Sequence, residues 1–94
     1  MYYYVSERKQ KMEKIRFGVI GLGHRGHYMI RDNLVHFSEL EFVAISDLYE
    51  DRMDTVEKVI LEKRPEAKPP YKTTNYKEIL DGKMVDAVYI SAYW

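Results

Sequence analysis

A chain of 94 residues has room for one small domain, and its 46% apolar and 32% charged content fits a folded globular protein rather than a disordered one. Fifteen basic residues balance fifteen acidic ones, so nothing in the charge points to a nucleic-acid or anionic-membrane partner. With no cysteine, and with three histidines that have no ligand-spaced partners, disulfides and zinc–cysteine sites are excluded and no metal site is expected.

The lack of cysteine is compatible with a cytoplasmic location. No apolar run approaches the roughly 18–20 residues of a membrane span. Met1-Tyr2-Tyr3-Tyr4-Val5 is too short for the apolar part of a signal peptide and runs straight into charge. Residues 1–13 therefore read as a flexible tail, with Met12 an alternative start to Met1, and residues 14–94 as the domain.

The first strand is Ile15–Ile20, almost wholly apolar as a parallel strand buried on both faces should be. A glycine turn follows, Gly21-Leu22-Gly23-His24-Arg25-Gly26, and then a helix predicted over Arg25–Phe37 with Met29, Ile30, Leu34 and Phe37 on its inner face. Leu40–Ser46 holds the second strand, closed by Asp47. The second helix is predicted over Glu50–Lys63, with acidic residues near its start, Lys63 and Arg64 at its end, and Met53, Val56, Val59 and Ile60 inward. Pro65, Pro69 and Pro70 mark a loop. Tyr71–Thr73 reads as a short strand, Tyr76–Leu80 as a third helix and Ala87–Ser91 as a last strand.

Strands alternating with helices predict an α/β fold, part of a Rossmann-type doubly wound parallel sheet with about four strands in the order 3-2-1-4 and three helices. The first two helices should cover one face and the third the other. The last strand is left as an open edge where a fifth would lie, which predicts self-association through that edge.

A G-x-G-x-x-G turn between a strand and a helix is the context of dinucleotide binding. Gly21 allows the sharp turn, Gly23 lets a pyrophosphate approach the backbone, and Gly26 lets the helix pack closely. The helix N-terminus then presents free N–H groups to phosphate. Asp47, 21 residues after Gly26, ends the second strand where a carboxylate can bind ribose hydroxyls and repel a 2′-phosphate, so NAD is favoured over NADP. Leu22, His24 and Arg25 complete the turn. Arg25 fits either an approach to the pyrophosphate or a solvated helix start. Leu48 is placed to pack on adenine. Arg52 lies within reach of the adenine side, although a solvated helix position explains it more simply. Ser91 ends the last strand and Ala92 follows it, at the switch point where ligands bind. No residue pair with catalytic spacing appears, and no metal ligands.

These pieces resemble the N-terminal domain of the Gfo/Idh/MocA oxidoreductases, the glucose–fructose oxidoreductase and inositol dehydrogenase group. The resemblance rests on Ile15-Arg16-Phe17-Gly18-Val19-Ile20-Gly21-Leu22-Gly23, on Val43-Ala44-Ile45-Ser46-Asp47 with Arg52, on Tyr71, on Asn75-Tyr76-Lys77-Glu78-Ile79-Leu80, and on Val85-Asp86-Ala87-Val88-Tyr89-Ile90. It implies NAD(P)-dependent chemistry on sugar or cyclitol hydroxyls, with Gly21, Gly23 and Gly26 at the pyrophosphate and Asp47 at the ribose. The family's proline after the last strand falls near Tyr93, and its Glu-Lys-Pro motif and substrate domain are not in this sequence. Related NAD-dependent glycosidases of the same fold, or a non-catalytic remnant, are the alternatives.

Overall fold

The computed structural model describes the backbone of residues 2–5 and, in full, residues 14–81 and 83–91. Its elements are β1 (Tyr2–Val5), β2 (Ile15–Ile20), α1 (His24–Asp32), a single 3-10 turn (Leu34–His36), β3 (Leu40–Ser46), α2 (Glu50–Lys63), β4 (Tyr71–Thr73), α3 (Lys77–Asp81) and β5 (Ala87–Ile90). Among the described residues no helix is long and apolar enough to cross a membrane.

The five strands lie in the order β1-β5-β2-β3-β4. Four of them, β4-β3-β2-β5, are parallel and reproduce the predicted 3-2-1-4 order. The alternation of side chains divides the core between the two faces. Phe17, Val19, Phe42, Ile45, Ala87 and Tyr89 face α1 and α2, whose Ile30, Met53, Val56 and Ile60 close that layer. Phe17 meets Phe42 edge to face, with ring centroids 5.9 Å apart. On the other face Ala44 and Val88 meet Ile79 of α3. Gly18 belongs to this thinner layer. A Cβ there would come within 3.1 Å of both Ile79 and Val85, so the missing side chain lets α3 lie close to the sheet. A bulge at Val43, where Phe17 pairs with Phe42 and Gly18 with Ala44, keeps the two faces in phase.

Two expectations need correction. The first helix ends at Asp32 rather than Phe37, because the chain leaves helical geometry at Asn33 (φ −128°) and tightens into the 3-10 turn. Phe37, predicted inward, is 53% exposed. The N-terminal segment is not all tail. Tyr2–Val5 pairs antiparallel with β5, so the edge expected to be open is covered.

Two charged residues fix the sheet and its helices. Asp86, whose side chain is 1% exposed, accepts bonds from the Arg16 backbone N–H (3.0 Å) and from its Nε and Nη2 (3.2 and 2.9 Å), clamping the start of β5 to β2. That pairing raises the Arg16 pKa. Arg64, just past α2, donates to the carbonyls of Val35, Phe37 and Leu40 and lies over the Phe42 ring. Sequence reading makes Arg64 a cation for its own helix end. In the structure it satisfies carbonyls of the turn that follows α1.

Candidate functional site

Three parallel strands end together, and the glycine turn grows out of the middle one. Gly21 N–H donates to the Ser46 carbonyl and Ser91 N–H to the Ile20 carbonyl, both at 2.9 Å. The ends of β3 and β5 therefore hold the start of the turn from both sides. Gly21 has φ +92°, a left-handed conformation that L side chains rarely adopt. A Cβ on it would also stand 2.4 Å from the Ser91 carbonyl oxygen.

The other two glycines differ from each other. A Cβ on Gly26 would stand 2.1 Å from the Gly21 carbonyl oxygen, so Gly26 is where α1 crosses the turn. At Gly23 the nearest atom to an added Cβ is Arg52 Nη1 at 3.5 Å, an ordinary contact. The backbone at Gly23 thus faces free space. Gly23 is the N-cap of α1, no side chain caps it, and the first turn contains no acidic residue. The first N–H groups of the helix keep their hydrogen-bonding capacity and the positive end of its dipole.

Asp47 braces this arrangement. Its Oδ2 accepts the Leu22 N–H at 2.7 Å and its Oδ1 the Tyr49 N–H at 3.0 Å. Arg52 Nη1 lies 3.7 Å from Oδ1, and its guanidinium stacks over the Tyr49 ring at 4.7 Å. The Asp47 side chain is 6% exposed. One carboxylate therefore joins the end of β3, the glycine turn and the start of α2. Asp47→Asn should cost about 1–3 kcal/mol, because an amide NH2 would face one of those N–H donors and leave it unsatisfied. Thermal unfolding followed by circular dichroism checks this, and an unchanged midpoint would contradict it.

A groove of about 290 Å³ opens beside Gly23, lined by Leu22, Gly23, His24, His27, Asp51, Arg52 and Thr55. Of the residues singled out from sequence, Leu22, Gly23, His24 and Arg52 meet here. Gly21, Gly26 and Asp47 shape the turn from behind. Arg25 is exposed on α1, Leu48 is 76% exposed beyond Asp47, and Ser91 is buried against Gly21 and Gly26. Ala92 lies outside the described residues. Sequence reading missed His27, Asp51 and Thr55. The last two sit one helical turn apart, and the Thr55 hydroxyl donates to the Asp51 carbonyl at 3.0 Å. Their i, i+4 spacing beside Arg52 is the signal that marks this face of α2. Among the described residues no group of three or more His, Asp or Glu side chains is arranged to hold a metal.

No family model matches the chain. Over 88 residues it is 38% identical to an alpha-N-acetylgalactosaminidase of Shewanella oneidensis, covering 89% of this chain and 18% of that protein. It is 28% identical over 81 residues to a glycosyl hydrolase family 109 protein of Phocaeicola vulgatus, covering 85% of this chain and 19% of that one. The chain thus spans about a fifth of the length of these relatives. Its fold is that of scyllo-inositol dehydrogenase from Lactobacillus casei, solved with bound NAD(H) and scyllo-inositol (TM-score 0.61, 18% identity, 86% of this chain and 22% of that one). A myo-inositol dehydrogenase from Corynebacterium glutamicum is similar (TM-score 0.59, 19% identity, 85% and 21%). With the glycine turn, the strand order and these matches in agreement, the chain has the Rossmann-type fold of the inositol dehydrogenases and is similar, over most of its own length, to a part of each of these longer glycosidase-named relatives.

Proposed function

We propose that the glycine turn binds a dinucleotide, NAD(H) in preference to NADP(H), and that the chain is the cofactor-holding part of an enzyme acting on sugar or cyclitol hydroxyls. The observation that carries this is Gly23. It is the one glycine of the turn whose side-chain direction is open, at an uncapped helix start with Arg52 alongside. That combination suits a pyrophosphate, which needs close backbone approach, unpaired N–H donors and positive charge. When bound, NAD(H) supplies hydride transfer. The residues of this chain hold and orient it, and the proposal assigns none of them a catalytic step.

The preference for NAD(H) rests on Asp47. Each of its oxygens accepts one backbone N–H, which fixes its carboxylate at the end of β3 beside Arg52 of the groove. Its negative charge, only partly offset by Arg52, opposes a 2′-phosphate. A second reading, a glycosidase of the same fold that uses bound NAD, is favoured by one observation: relatives above 30% identity carry glycosidase names, whereas the dehydrogenases are 18–19% identical.

The test is titration of NADH and NADPH into the full chain, followed by cofactor fluorescence. NADH should saturate with a dissociation constant below about 1 mM, and NADPH should bind at least about tenfold more weakly. Equal affinities would overturn the role given to Asp47. No binding of either at millimolar concentration would overturn the dinucleotide reading.

A further inference from the structure

The placement of Tyr2–Val5 has a consequence for how this fold is completed. β5 hydrogen-bonds to β2 on one side. On its other side it pairs without a break with β1: Tyr2 opposite Ile90, Tyr3 opposite Tyr89, Tyr4 opposite Val88 and Val5 opposite Ala87. In a six-stranded doubly wound sheet of order 3-2-1-4-5-6 a parallel strand takes that side. A strand edge has one row of N–H and C=O groups and pairs with one neighbour at a time.

We propose that Tyr2–Val5 is a self-complementing strand, seated antiparallel where a fifth parallel strand of the doubly wound sheet would lie, so that the two exclude each other. The occupant is the same chain rather than a second copy. Val5 pairs with Ala87, which in turn pairs with Phe17 on β2, so Val5 lies at the end of the sheet where β2 begins. The nine residues from Ser6 to Lys14 need only pass the width of one intervening strand, about 10 Å, which is well within their extended reach. β1 and β5 are both four residues long and pair at every position, so β1 covers the whole outer edge of β5. The strand therefore replaces the self-association expected at an open β5 edge with an internal contact. A polypeptide that supplies a parallel strand to β5 must first displace it.

Hydrogen exchange on the full chain, with sedimentation confirming a monomer, tests this. Alternate amides of a strand face opposite neighbours, so two of the four in Ala87–Ile90 point toward β1 and two toward β2. All four should be protected. In the double variant Tyr3→Pro/Tyr4→Pro, which removes at least one ladder donor whichever way the strand faces, the two β1-facing amides should lose protection by about 100-fold or more. The β2-facing pair should keep theirs, and the variant should sediment as larger species. A wild-type monomer in which the β1-facing amides exchange freely while the β2-facing ones are protected would overturn the proposal. So would a folded double variant that keeps all four protected. The wild-type pattern decides the matter even if the double variant does not fold.

Discussion

Gly26→Ala should destabilise the chain by about 3 kcal/mol, a large share of the total stability of a domain this size. The added Cβ would stand 2.1 Å from the Gly21 carbonyl oxygen, and backbone cannot step aside as the end of a flexible side chain can. Relief would require α1 to move away from the turn. Gly21 has no freedom to follow, because its N–H is tied to Ser46 and its Cα lies against the Ser91 carbonyl. The strain therefore falls on the packing of α1 over the sheet, where Ile30 is buried. A midpoint of thermal unfolding lowered by about 10–20 °C is expected from circular dichroism. A midpoint within about 3 °C of wild type would show that the crossing of helix and turn is looser than described.

Gly23→Ala should do the reverse, sparing the fold and removing the ligand. Gly23 has φ −69° and ψ −162°, an extended conformation open to alanine, and the nearest neighbour of the new Cβ is Arg52 Nη1 at 3.5 Å. Stability should stay within about 0.5 kcal/mol of wild type, the usual range for a substitution that meets nothing. A pyrophosphate approaching this backbone would meet the methyl group directly. Crowding of that kind typically costs 1–3 kcal/mol, so affinity should fall by about 10- to 100-fold. The two alanine variants, two glycines of one motif, separate what the turn needs in order to fold from what it needs in order to bind.

Local signals in the sequence account for the elements read correctly, and distant contacts for the rest. Helix α2 runs over Glu50–Lys63 as predicted, because acidic residues mark its start, Pro65 stops it, and Met53, Val56 and Ile60 repeat at helical spacing. The parallel strands were equally legible as apolar runs between turns. Phe37 fitted the period of α1 by coincidence. The break at Asn33 is stabilised by Arg64, 31 residues later, holding the carbonyls of Val35 and Phe37, and nothing near Asn33 announces that. β1 was illegible for the same reason, since its partner β5 lies at the other end of the sequence. In the site, Asp47 was recognisable as an acidic residue closing a strand. Its bonds to the Leu22 and Tyr49 amides follow only from how β3 meets the turn. His27 and Thr55 come to one groove only because α1 lies beside α2.

The central claim is that Gly23 is the point where a dinucleotide meets the backbone. The most direct test titrates NADH into wild type and Gly23→Ala side by side, each sample first shown to be folded with the same unfolding midpoint. Saturable binding by wild type, with affinity reduced at least about tenfold in the variant, is the result predicted. Equal binding by both would contradict it, placing any cofactor contact away from the turn.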